Sequence, residues 1–227
     1  RTATRRNHTG THVLHWALRT VLGEHVKQAG SLVSPDRLRF DFSHYDAVTT
    51  EEIIRIETLA NAQVLANSNV IATESSKEEA LAAGAIAFFG DKYGDRVRVL
   101  SAGPSVELCG GTHVSATGDI GIIKVVSEGS VGANLRRIEA VAGTRTFNLL
   151  QQDRRVITDV ARLVGAGPDD LMIGVQRKVE DIKGLQDENK TLRARLAVTA
   201  GSVLAAEAVD GIVVAQVDDL TPGDLRD

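Results

Sequence analysis

The chain has 227 residues, 43% of them hydrophobic and 25% charged, a formal net charge of −4 and a single cysteine. That length is enough to bury a core and predicts one main domain with an appendage. The acidic balance excludes a general nucleic-acid coat, which would be strongly basic, while leaving room for a local basic patch that grips one RNA end. A lone thiol excludes a disulfide within the chain and fits a reducing, cytoplasmic setting. No apolar run has the length of a membrane span and no signal peptide is legible, so no membrane partner is expected.

In chain order, His8-Thr9-Gly10-Thr11-His12 heads an apolar-periodic run of Val13, Leu14, Ala17, Leu18, Val21 and Leu22. That period predicts an amphipathic helix near 8–26. Leu38, Phe40 and Phe42 alternate with Arg39 and Asp41, predicting a strand. Thr49 or Thr50 caps a helix whose first turn holds Glu51 and Glu52 and whose stripe is Ile53, Ile56, Leu59, Ala60, Gln63 and Val64. A strand near 70–73, a short helix over 77–83 and a turn at Gly90–Gly94 follow. Strands are expected near 96–100, 105–108, 121–126 and 135–141, antiparallel and enclosing the segment Cys109-Gly110-Gly111-Thr112-His113. The fold class is therefore α+β, an antiparallel sheet with packed helices over 1–147.

Beyond Gly143 the pattern changes. Residues 147–164 read as a helix broken by Gly165-Ala166-Gly167-Pro168. A long helix is expected from about Asp169 towards Ala206, with Leu171, Val175, Ile182, Leu185, Leu192 and Leu196 in 3-4 spacing and Asn189 as a polar interruption. This predicts a helical or coiled-coil extension over 148–207, with self-association through 169–206 as one reading. A single amphipathic helix lying against its own domain is the other. Gly211–Val217 reads as a strand opening a further domain over 208–227, and the chain as a whole reads as a piece of a longer protein.

Two short motifs carry the chemistry. Residues four apart on a helix lie one above the other, so His8 and His12 can converge on one ion. Two glycines between Cys109 and His113 let the backbone turn tightly enough to aim both side chains inward. Imidazole nitrogens with one thiolate suit zinc. The HxxxH spacing lacks the central Glu of HExxH, which removes a metalloprotease. Paired surface or core histidines and a small buried thiol are the plain alternatives, and a closed structural zinc is a third.

The words around these motifs resemble the editing domain of the alanyl-tRNA synthetases. The similarity runs through Asn7–His15, Gln28–Val33, Leu38–His44, Ala85–Val99, Ser105–Val114 and Gly132–Ala140, in the family's order. Threonyl enzymes usually carry Arg-Gly-Pro-His after the cysteine, where this chain has Gly-Gly-Thr-His. The resemblance implies a zinc held by His8, His12, Cys109 and His113, and hydrolysis of serine or glycine from the 3′ acceptor end of tRNA(Ala). ATP-dependent alanylation would then reside in a part of such a protein not included here. A tRNA-binding module with a structural zinc and no turnover, or a freestanding or threonyl-type editing protein, are the competing readings.

An activation pocket built for alanine cannot strongly reject glycine, because a missing methyl is worth only about 1–3 kcal/mol, so a second, hydrolytic site has a physical purpose. Gln28 and Thr11 are the candidates for catalytic-site contact with the aminoacyl group. His15 is read as a structural helix residue or a partner behind His12, and Glu107 as a strand or salt-bridge residue. Arg136 and Arg137 alternate across a strand, so only one of them can face an RNA groove.

Overall fold

The computed structural model describes residues 1–87, 94–206, 208–210 and 212. The turn expected from Gly90, except Gly94, and most of the strand and domain start expected over 208–227 lie outside the described residues. The chain divides into two compact units, Arg1–Gln152 and Asp153–Asp227.

The first unit is an antiparallel α+β fold. Helix α1 (Thr2–Leu22) ends at Gly23, whose φ of 116° lies where side chains are strained. Strand β1 (Gln28–Val33) pairs with β2 (Leu38–Ser43), where Leu38, Phe40 and Phe42 are buried and the residues between them only partly so. Helix α2 (Thr50–Ala66) opens on a reciprocal cap: the Thr49 hydroxyl accepts from the Glu52 amide while the Glu52 carboxylate accepts from the Thr49 amide. Of its predicted stripe, Ile56, Ala60 and Val64 are buried and Ile53 and Leu59 pack partly against the same core.

Strand β3 (Val70–Ser76), helix α3 (Lys77–Ala82), β4 (Arg96–Ala102) and β5 (Ser105–Leu108) follow, then β6 (Ile123–Gly132) and β7 (Leu135–Ala142). The strands form two sheets, ordered β1-β2-β7-β6 and β3-β4-β5, every pairing antiparallel. The main core lies between α1, α2 and the four-stranded sheet, where Val13, Leu14 and Leu18 meet Phe40, Phe42, Ile56, Ile123 and Ile138. Phe40 sits opposite Ile138 in the β2–β7 register. Each of these side chains contributes roughly 1.5–3 kcal/mol on burial.

Helix α4 (Thr144–Val164) runs across the boundary between the units. In the second unit a 3-10 turn at Pro168–Asp170 leads into α5 (Leu171–Ala206), 36 residues long. Gly174 is where this helix packs against the turn before it, since a Cβ there would lie 2.6 Å from the Ala166 Cβ. Ile182, Leu185, Leu192 and Leu196 of the expected stripe are exposed. Among the described residues, no helix is long and apolar enough to cross a membrane.

Candidate metal centre

The first unit brings both short motifs together. His8 and His12 project from α1, and Cys109 and His113 from the loop that leaves β5. One potential ligand atom from each of the four lies within 4.8 Å of all the others. Cys109 Sγ is 3.5 Å from His8 Nε2 and 3.3 Å from His113 Nε2. A tetrahedral zinc with ordinary bond lengths separates sulfur and nitrogen ligands by about 3.5 Å. Among the described residues His12 Nε2 is buried without a hydrogen-bond partner, an arrangement that costs free energy unless something else satisfies it. Both observations fit the donor set to zinc.

Behind the cluster lies a buried carboxylate. Glu107 is 1% exposed, and its oxygens accept from His12 Nδ1, from His15 Nδ1 at 2.7 Å and from the Ser105 hydroxyl at 3.1 Å. Burial works against the Glu107 charge, but the hydrogen bonds from His12 and His15 outweigh it and pull the carboxyl down to about 2. Burial likewise opposes the Cys109 thiolate, and the neighbouring imidazoles of His113, His12 and His8 bring it down to about 3. The sulfur therefore presents an anion, the form that binds metal. His12 moves the other way: burial lowers it, but the adjacent Cys109 sulfur and Glu107 carboxylate raise it to about 9.

The loop itself is held on both sides. Arg98 of β4 donates to the carbonyls of Cys109 (3.1 Å) and Gly111 (2.6 Å), and Arg5 of α1 donates to His113 O at 2.6 Å. The Thr9 hydroxyl accepts from Val114 N and stands 3.3 Å from His113 Nδ1. The two glycines differ from expectation. Neither has a left-handed φ. Gly111 is required because a Cβ there would lie 2.1 Å from His8 Cε1, whereas one at Gly110 would meet open space.

Gln28 lines a cavity of about 270 Å³ with His15, Arg19, Lys27, Ile86 and Ala87. Its amide donates to the Ser31 hydroxyl at 3.1 Å. His15 links this cavity to the cluster, because it shares Glu107 with His12. Thr11 is 5% exposed, and its hydroxyl donates to Asn7 O at 2.8 Å within α1. Arg136 and Arg137 are both engaged within the sheet, in two-pronged pairs with Glu128 and Asp41 respectively, all at 2.6–2.7 Å. Sequence reasoning reads Glu107 as a strand or salt-bridge residue and does not tie it to the cluster. It does not find Thr9, Arg5 or Arg98, whose contacts lie in the 109–114 loop, more than a hundred residues away for the first two.

Residues 97–139 match the threonyl and alanyl tRNA synthetase second additional domain. The matched stretch, which carries Cys109 and His113, thus belongs to a domain class of the aminoacyl-tRNA synthetases. The chain is 56% identical over 177 residues to the alanine–tRNA ligase of Desulfitobacterium hafniense, covering 78% of this chain and 20% of that protein. It is 45% identical over 231 residues to the enzyme of Polynucleobacter asymbioticus, covering 100% and 26%, and 48% identical over 209 residues to that of Halorhodospira halophila, covering 92% and 24%. The chain belongs with the alanine–tRNA ligases, and it spans 20–26% of the length of these three relatives.

Proposed function

We propose that residues 1–147 hydrolyse the ester of mischarged tRNA(Ala), releasing serine or glycine, with zinc held by His8, His12, Cys109 and His113. The observation that carries this reading is the convergence of three imidazoles and one thiolate within 4.8 Å, backed by Glu107 and joined through His15 to the Gln28 cavity. Zinc, when bound, supplies positive charge that can polarise an ester carbonyl or acidify a water. Glu107 holds His12 in place from behind, as carboxylates commonly do for metal-binding histidines.

Gln28 is the proposed contact to the aminoacyl group, with a side-chain amide that can bond the serine hydroxyl. Alanine would leave that partner unsatisfied, and the resulting cost of about 1–3 kcal/mol is the means of sparing correct product. Thr11 is proposed as the second polar contact. Its hydroxyl oxygen can still accept a hydrogen bond while donating to Asn7 O. An aminoacyl ester is labile, so positioning supplies much of the required acceleration. On the same reading the protein works in the cytoplasm and its partner is the 3′ acceptor end of tRNA(Ala). Residues 148–207 serve as a helical linker that can pair through 169–206, and 208–227 open a further domain. ATP-dependent alanylation belongs to the remainder of a full-length ligase.

One observation favours a second reading. The four side chains would fill a tetrahedral shell around a zinc, the usual arrangement of a structural site. The domain would then bind tRNA without turnover. Incubation with Ser-tRNA(Ala), Gly-tRNA(Ala) and Ala-tRNA(Ala) separates the two. Release of serine and glycine with alanine retained supports editing, and tRNA binding with no release supports the structural zinc.

A further inference from the structure

The metal loop has a second flank that editing chemistry alone does not explain. A pocket of about 340 Å³ opens there, lined by Arg5, Arg98, Gly111, Thr112, His113 and Ser115 among others. We propose that this pocket is a phosphate subsite, taking a phosphodiester of the RNA strand that leads to the aminoacyl ester. The inference rests on the reading that the substrate is an ester carried on RNA.

The contrast among the arginines carries it. Arg136 and Arg137 each meet a carboxylate with two parallel bonds, so their charges are spent inside the sheet. Arg5 and Arg98 meet only main-chain carbonyls of the metal loop, and neither pairs with a carboxylate among the described residues. A guanidinium carries five donors in a fixed fork. Arg5 commits only its Nε, to His113 O, and Arg98 commits only its Nη1, shared between Cys109 O and Gly111 O. Arg5 keeps both terminal nitrogens, and Arg98 keeps Nε and Nη2.

The two carbonyls that anchor them, of Gly111 and His113, are two residues apart, a span of about 7 Å at most. Among the described residues no carboxylate lines the pocket, and the hydroxyls of Thr112 and Ser115 add neutral polar groups. Two uncompensated cations on one pocket wall, in a chain of net charge −4, form the local basic patch that the overall balance leaves room for. A phosphodiester suits them because it is always anionic and matches the planar fork. The pocket includes His113 itself, so an RNA strand seated there passes beside a metal ligand on its way to the ester.

The test is direct binding, which requires no turnover. A labelled, uncharged RNA hairpin ending in a four-nucleotide single-stranded 3′ tail is titrated against the full chain at several salt concentrations between about 50 and 200 mM. The proteins are the parent, Arg5→Gln, Arg5→Lys and Arg98→Gln, each with its zinc content measured. Expected for Arg5→Gln is about a tenfold loss of affinity, with the log–log salt slope reduced by about 0.7–0.9 and zinc retained. Arg5→Lys keeps the charge and should keep the slope. A hairpin without the tail should show no dependence on Arg5.

Unchanged affinity and slope in both Gln variants overturn the proposal, as does a parent chain that binds no RNA. Equal Arg5 dependence with and without the tail also overturns it. Competition by inorganic phosphate at millimolar concentration, with no preference for the tailed hairpin, would assign the pocket to a free anion instead. Should Arg98→Gln release the loop and its zinc, the two Arg5 variants decide. Serine release that survives with RNA binding indifferent to Arg5 removes the subsite alone. Arg5-dependent binding without release removes the editing reading and keeps the subsite.

Discussion

Helices α1 and α5 share a 3-4 apolar period and little else. The 21 residues of α1 bury ten, and five of those are polar: Asn7, Thr9, Thr11, His12 and His15. The 36 residues of α5 bury Gly174 alone. A buried polar group needs a partner, and each of the five in α1 has one. Asn7 donates to Ser34 O, Thr9 and Thr11 donate to carbonyls four residues back, and His12 and His15 donate to Glu107. The polar face of α1 is therefore fixed by residues from distant strands, and that fixing produces a cluster with defined geometry. In α5 the same period leaves an apolar stripe at the surface, and side chains there have few neighbours to hold them. Periodicity predicts a helix in both cases, while the identity of what covers the stripe decides whether it becomes a site or a surface.

Truncating one leucine from each helix is the largest expected contrast. Leu14→Ala, in the core, should cost about 2–5 kcal/mol in chemical denaturation. Leu185→Ala, 64% exposed, should stay within about 0.5 kcal/mol in dilute solution. Comparable losses at both positions would break the distinction between the helices.

The polar face of α1 can be tested through zinc binding. His12→Ala should abolish stoichiometric zinc in elemental analysis of chelator-washed protein. Glu107→Gln, which keeps the shape but removes the charge behind His12, should weaken zinc by roughly 10–100-fold in a chelator competition. Full zinc retention in both variants would separate Glu107 and the cluster from metal binding.

Glycines sharpen the picture of α5. A Cβ at Gly184 meets nothing within 4 Å, so Gly184→Ala should stabilise the helix by roughly 0.5–1 kcal/mol. Gly174→Ala should lower stability by roughly 1–3 kcal/mol, because its Cβ would press on Ala166 and on Val164 Cγ2 at 2.8 Å. Thermal melts of the two variants should shift in opposite directions. The smallest effect is association itself. At high concentration the full chain should sediment at more than its own monomer mass while a version ending at Gln152 sediments as a monomer, and two monomers would show that the α5 stripe does not pair with a second copy.

Much of the first unit is legible in the sequence because its signals are local. Leu38, Phe40 and Phe42 alternate over one buried face, and Thr49 with Glu52 writes a helix start in four letters. Strand β1 is not legible, since Gln28–Val33 alternates only weakly, is largely unburied and carries a register irregularity between Gln28 and Gly30. The histidines and Cys109 are legible as a cluster because their spacing repeats known ligand spacing. The contribution of Glu107 to it is not, because nothing in Ser-Val-Glu-Leu announces that two imidazoles from 92 and 95 residues earlier converge on it. The reason for Gly111 was equally hidden: it is the nearness of His8, and not a turn, that excludes a side chain.

Glu107 also settles which tautomer two rings adopt. An ionised carboxylate only accepts, so the nitrogen of His12 and of His15 that faces it must carry hydrogen, and that nitrogen is Nδ1 in both. In the neutral imidazole the lone pair is then forced onto Nε2. Turning the His12 ring over would set a carbon against the carboxylate and bury its charge with one bond fewer. A single glutamate thus writes the same instruction into two histidines a helical turn apart, one lining the cavity beside Gln28 and the other turning its second nitrogen to the cluster with His8, Cys109 and His113.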